Sequence, residues 1–227
     1  MQDVSEGGWN YRLFEGKLKV GIVLVHEFMG QDDYARRVGR DLSDQGFWVT
    51  LVDLFRGKLA RDRDEAHFLT QQVQRNDVLE CMSGGLKILR ERLGPGAPIG
   101  SMGFCMGGGF ALLAACNLDL FFCVDYYGMI QDAQETRTLK GPVILILGSE
   151  DKRVTPWAIQ QLLPAMVVHQ KRIDVHLYPN AAHAFHRPGW EGHSPLSAAD
   201  AWQKTLAFLH RFHDQSPKGS DHWATLG

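Results

Sequence analysis

The sequence predicts an α/β fold, with a mostly parallel central sheet and helices on both of its faces. Short, near-continuous runs of Val, Ile and Leu recur along the chain, as strands buried on both faces require. Between them lie segments whose apolar residues recur at three- and four-residue steps, the spacing of helices that press one face onto a sheet. A length of 227 residues suits one large domain better than two small ones. The expected division is a single domain over 1–215 and a polar tail over 216–227.

Taken in order, "VGIVLVHE" (20–27) is a buried strand and "DYARRVGRDLSDQG" (33–46) a helix ended by Gly46. "FWVTLVDLF" (47–55) is the next strand. "RGKLARDRDEAHF" (56–68) mixes charges of both signs and is expected to be a solvated loop running into a helix. Val78, Leu79, Met82, Leu86, Leu89 and Leu93 define an amphipathic helix over 76–93. "APIGSMGF" (97–104) is a strand that runs into the glycine-rich start of a helix, "GGGFALLAAC" (107–116). Strands follow at "LFFCVDYYG" (120–128), "GPVILILGSED" (141–151) and "IDVHLYPNAAH" (173–183). A last helix at 197–213 puts Trp202, Leu206 and Leu209 on one face.

A net charge of −2 gives no basic field for nucleic acid or an anionic membrane. Apolar runs such as 143–147 are far too short to span a bilayer. The first residues, "MQDVSEGGWNYR", lack the basic and apolar segments of a secretory signal. The four cysteines (Cys81, Cys105, Cys116 and Cys123) form no CxxC pair, so reduced thiols and a cytoplasmic setting are expected.

Cys105 stands apart from the other three. It lies between Gly103 and Gly107 at the junction of strand and helix, in the pattern Gly-x-Cys-x-Gly. A nucleophile elbow turns there so sharply that only small residues fit two positions to either side. The turn also puts the sulfur at a helix N-terminus, where backbone N–H groups favour thiolate. No Gly-Lys-Ser/Thr makes this a phosphate loop.

A nucleophile needs a base, and the base an orienting acid. Asp151 follows the strand "VILILGSE", and His183 follows "VHLYPNAA". Nucleophile, acid and histidine in that order, each at the carboxyl end of a strand, is the α/β-hydrolase arrangement. Asp125 is the alternative acid, although it lies inside an apolar run. His183 and His186 are three apart in "HAFH", but the flanking prolines favour a loop over a metal-binding helix, and no metal is expected.

The chain resembles the dienelactone hydrolase (carboxymethylenebutenolidase) family of small α/β-hydrolases. The resemblance rests on "LVHEFMG" (24–30), "VDLF" (52–55), "GFCMGG" (103–108), "GSEDKRVTP" (148–156) and "HAFHRPG" (183–189). It implies a Cys105–His183–Asp151 triad and no cofactor. It also implies that Glu27 contacts the resting thiol and swings away when substrate binds. The oxyanion hole would be the backbone N–H groups of Phe28 and Met106. Arg187 would bind a substrate carboxylate, and Arg56 falls about one residue out of register with the second such arginine.

The function these residues point to is opening of a small carboxylated lactone through a thioester at Cys105. A general carboxylesterase acting on small acyl esters is the alternative. A ligand-binding protein that keeps the fold without turnover is the reading from another class. The expected partner is a small lactone or ester substrate.

Overall fold

The structure, a computed structural model, describes residues 1–213. The expected tail at 216–227 lies outside the described residues. The strands are β1 (Gln2–Glu6), β2 (Trp9–Phe14), β3 (Gly21–Val25), β4 (Trp48–Val52), β5 (Ile99–Phe104), β6 (Cys123–Tyr126), β7 (Val143–Gly148) and β8 (Ile173–Tyr178). They form one sheet in the order β1-β2-β4-β3-β5-β6-β7-β8. From β4 to β8 all neighbours are parallel, and β1 and β2 pair antiparallel at one edge.

The helices are α1 (Asp33–Asp44), α2 (Arg63–Gln72), α3 (Arg75–Leu93), α4 (Met106–Asn117), α5 (Val154–Trp157), α6 (Leu163–Val168) and α7 (Pro195–His210). A two-residue period divides the core into two layers. Ile22 and Leu24 of β3, Val49 and Leu51 of β4, and Ile144 and Ile146 of β7 face α1 and α7. Val23 and Val25, Val52, and Val143, Leu145 and Leu147 face α3, α4 and α6. Successive side chains of a strand point to opposite faces, so unbroken apolar runs are what a sheet covered on both sides demands.

The N-terminal hairpin was not expected. β1 is mostly exposed and polar, so it carries no apolar run. Its turn is Gly7-Gly8, with both φ values positive (58° and 81°), and Glu6 pairs Trp9 across it. Such a two-residue turn requires left-handed backbone, which glycine supplies. β6 and β8 are shorter than the apolar stretches that announced them. β8 stops at Pro179, and Asn180 enters the left-handed region with φ 57°. Between β7 and β8 a helical stretch runs through α5, a π turn at Ala158–Leu162 and α6, where Pro164 sits near the start. Proline has no N–H to donate, so the hydrogen-bond ladder changes register ahead of it.

Candidate active site

Three strand ends build the site. β5 delivers Cys105, which holds φ 55° and ψ −120° and donates its backbone N–H to the Tyr126 carbonyl at 2.9 Å. That strained backbone is tolerable because α4 can start directly behind it. A Cβ on Gly103 would meet the Gly107 carbonyl oxygen at 2.1 Å, and one on Gly107 would meet the His26 carbonyl oxygen at 2.5 Å. The two glycines let α4 press against β5 and the end of β3, and this closeness turns the sulfur outward.

β7 delivers Asp151. Its Oδ1 accepts the N–H groups of Arg153 and Val154, both at 2.9 Å. The loop after β8 delivers His183, whose Nδ1 donates to Asp151 Oδ2 at 2.5 Å. With Nδ1–H on Asp151, Nε2 is an acceptor in the neutral ring and a donor in the charged one, and it lies 3.0 Å from Cys105 Sγ. Burial lowers the basicity of His183, but the bonds to Asp151 and Cys105 outweigh it and raise the imidazole to about 10. Burial raises Asp151, but His183 and the two amides together hold it below its usual value. Asp125, the alternative acid, instead accepts the Gly128 N–H at 2.8 Å on the neighbouring strand.

Glu27 is 2% exposed at the end of β3. The hydrogen bond it makes is with Arg187, whose Nη1 donates to Oε2 at 2.8 Å, rather than with Cys105. Its Oε1 has no hydrogen-bond partner among the described residues. Burial pushes the Glu27 carboxyl up to about 7 against the pull of Arg187. His26 is fully buried and clamps this loop: Nε2 accepts the Leu54 N–H at 3.1 Å, so Nδ1 donates to the Glu27 carbonyl at 2.6 Å.

Phe28 and Met106 both line the cleft beside Cys105. Met106 opens α4, so its N–H has no acceptor within the helix. Arg187 does not line the cleft; its Nη2 donates to Asp32 at 2.5 Å behind the wall. Arg56 is elsewhere. Asp53 accepts the N–H groups of Phe55 and Gly57, and this tight turn sends Arg56 toward the N-terminal hairpin and α3. There the guanidinium lies 3.8 Å from the Trp9 ring centroid and 3.5 Å from Asp77. The structure thus places the Arg56 guanidinium away from the cleft that Cys105 lines.

The cleft has a volume of about 640 Å³. Phe110, Met129 and Trp190 give it apolar walls, and Arg63, Lys152 and Arg153 put cations at its rim. Arg63 lies 4.7 Å from the Trp190 ring centroid. Among the described residues no carboxylate is within ion-pair distance of it. Sequence reasoning passed over Arg63 as one charge in a solvated stretch. The signal was there: Arg63, His67 and Thr70 recur at i, i+4 and i+7, one face of α2, and all three line the cleft. A second cavity of about 580 Å³, bordered by Phe121, Lys140 and Pro142, sits at the opposite ends of the strands and holds none of this chemistry.

His186 turns away from His183. Its Nδ1 is 2.8 Å from the Tyr34 hydroxyl, and burial, with Arg37 and His193, lowers it to about 4. The two imidazoles thus have separate partners. No described helix is long and apolar enough to cross a membrane.

The profile of the dienelactone hydrolase family matches residues 14–213. The chain belongs to the dienelactone hydrolase family. A Pseudomonas putida carboxymethylenebutenolidase is 26% identical over 207 residues, covering 86% of this chain and 87% of the relative. A Bradyrhizobium protein that bears the name of a probable 2-oxo-3-(5-oxofuran-2-ylidene)propanoate lactonase is also 26% identical over 207 residues, covering 85% and 83%. A dienelactone hydrolase-like promiscuous phosphotriesterase from metagenomic libraries superposes with a TM-score of 0.81 at 20% identity, covering 92% of this chain and 96% of that one. The dienelactone hydrolase family chain thus has the α/β-hydrolase fold and is a hydrolase by family.

Proposed function

We propose that this protein opens a small lactone or ester carrying an acidic group, through a covalent thioester at Cys105. The observation that carries the reading is the line of hydrogen bonds from Cys105 Sγ to His183 at 3.0 Å and from His183 to Asp151 at 2.5 Å, above a backbone elbow with φ 55°. His183 Nε2 takes the thiol proton as Sγ attacks the carbonyl carbon, and Asp151 stabilises the imidazolium. The oxyanion meets the N–H groups of Phe28 and Met106. When the C–O bond breaks, the leaving alkoxide takes the proton back from His183. In a lactone the alkoxide is part of the same molecule, so ring opening leaves one acyl group on sulfur. Water then gives its proton to His183 and attacks the thioester; the C–S bond breaks, the acid leaves, and the departing sulfur takes the proton back from His183.

An acidic group on the substrate is favoured by the rim. Glu27 and Asp151 already have partners, whereas Arg63, which has no carboxylate at ion-pair distance among the described residues, lines the cleft and is suited to two-pronged contact with a carboxylate. The test compares a carboxylated dienelactone, a neutral lactone and a p-nitrophenyl ester. Wild type is expected to favour the carboxylated lactone and Cys105→Ala to lose turnover of all three. Arg63→Ala should raise KM for the carboxylated lactone by about tenfold, the worth of one charge-assisted contact. Turnover that survives in Cys105→Ala refutes the thioester. A peptide amide should not be cleaved, since thiolate is expelled from the tetrahedral adduct more readily than an amine.

A further inference from the structure

Arg187 is a cation that the proposed reaction leaves unused, and the structure shows what holds it. Its side chain is 13% exposed, and both terminal nitrogens are taken, Nη1 by Glu27 Oε2 and Nη2 by Asp32 Oδ2. The guanidinium carbon lies 5.0 Å from the Tyr34 ring centroid and 5.3 Å from that of Trp190, so aromatic rings flank it as well. Glu27 and Trp190 line the catalytic cleft. Arg187 is therefore one side chain away from any bound substrate, with both terminal nitrogens already engaged by carboxylates.

Asp32 does two separate things. Oδ1 accepts the Ala35 N–H at 3.0 Å and caps α1, while Oδ2 carries the ion pair. Capping needs an oxygen but no charge, since Asn and Ser cap about as well as Asp. The charge acts on Arg187. Two carboxyl groups face one guanidinium in a mostly buried wall, which leaves that wall with an excess of negative charge whenever Glu27 is ionised. Asp32 accordingly adds to the upward push that burial gives Glu27. A third carboxylate, brought by a substrate, would have to compete with two carboxylates already held by the terminal nitrogens, against a repulsive field.

We propose that Asp32 is a positioning residue that acts through Arg187: it serves as a built-in carboxylate, closes the guanidinium to anionic substrates, and leaves the reading of an acidic group to Arg63 at the rim. This rests on the reading of Cys105 as the nucleophile and deepens it. The enzyme then distinguishes acidic from neutral substrates less sharply than the same site would with Arg187 open. Its preferred acids are those whose carboxylate lies far enough from the reacting carbonyl to reach the mouth of the cleft.

The test uses Asp32→Asn and Asp32→Ser, both of which keep an oxygen for the cap of α1. The quantity measured is the ratio of kcat/KM for a carboxylated lactone to kcat/KM for a neutral lactone of the same ring. Both variants should raise that ratio at least tenfold over wild type, through a lower KM for the acid. Asp32→Glu should restore the wild-type ratio, and adding Arg187→Lys to Asp32→Asn should abolish the gain. Binding of glutarate, followed by calorimetry without turnover, should tighten by about tenfold in Asp32→Asn. Ratios within twofold of wild type, or unchanged glutarate binding, overturn the inference, because a residue that only caps a helix would give that result. Cys105→Ala is assayed alongside. Turnover that survives it refutes the thioester reading, whereas Cys105-dependent turnover with a constant ratio refutes the role of Asp32 alone.

Discussion

Replacing Asp125 by Asn should stabilise the protein, by an amount that grows as the pH rises from about 4 to about 7. Asp125 is fully buried on β6, where Oδ1 accepts the Gly128 N–H and Oδ2 has no partner among the described residues. Burial pushes its carboxyl from an ordinary 3.8 to about 7, opposed by the Gly128 bond. Between those two values the unfolded chain has released the proton and the folded chain still holds it. Folding stability therefore falls by about 1.4 kcal/mol per pH unit across that window and is constant above it. The total is about 4 kcal/mol, a ceiling, since local relaxation reduces it. Asn keeps the Oδ1 acceptor and carries no charge, so its stability lacks this slope. Urea unfolding of both proteins at half-unit steps from pH 4 to 9 measures the difference. It should be near zero at pH 4, grow to pH 7 and then level off, and the midpoint of thermal unfolding should rise by up to about 8–16 °C at neutral pH. Glu27 titrates in the same window but is common to both proteins and cancels. A difference that stays flat from pH 4 to 7 would refute the argument that Asp125 is an uncompensated buried acid.

Two further substitutions test the site. Gly107→Ala puts a methyl against the His26 and Val25 carbonyl oxygens, at 2.5 and 2.7 Å, and must push α4 away from the end of β3. Because Met106 opens α4 and Phe28 lies in the turn that follows β3, kcat should fall by about 10²-fold with KM changed far less, alongside a loss of about 1–3 kcal/mol in stability by urea unfolding. Asp151→Asn keeps the shape but removes the charge that holds the imidazolium, so kcat/KM for a p-nitrophenyl ester should drop by about 10³–10⁴. A drop of less than tenfold there would show that His183 is oriented by something else.

The strands of the parallel sheet were readable because burial on both faces forces unbroken Val, Ile and Leu runs, as in 143–147. The hairpin β1–β2 was not, since one of its strands faces solvent and its pattern is polar. Its Gly-Gly turn was the clue available. Cys105, Asp151 and His183 could be placed from sequence because each follows a strand, and strand ends are legible. Glu27 and Asp32 meet Arg187 from residues 155 or more positions away in the chain, and no local pattern encodes such a meeting. Arg56 and Arg63 show the same limit in reverse. Within one charged stretch, the turn held by Asp53 sends the first toward Trp9, and the phase of α2 brings the second to the cleft.

The order of the strands also decides how the protein wears out. Among the described residues β8 has β7 on one side and no strand on the other, and His183 hangs from the loop behind it. Cys105 by contrast ends β5, in the middle of the sheet. Edges open at lower free energy than centres, so β8 is expected to loosen while β5 is still protected. A warmed or aged sample would then keep its elbow and its sulfur but lose the histidine that faces Cys105, the proton acceptor of the proposed reaction. Inactivation would come before unfolding, as a loss of alignment at the rim of an intact sheet, and cooling would reverse it for as long as the thiol stayed unoxidised.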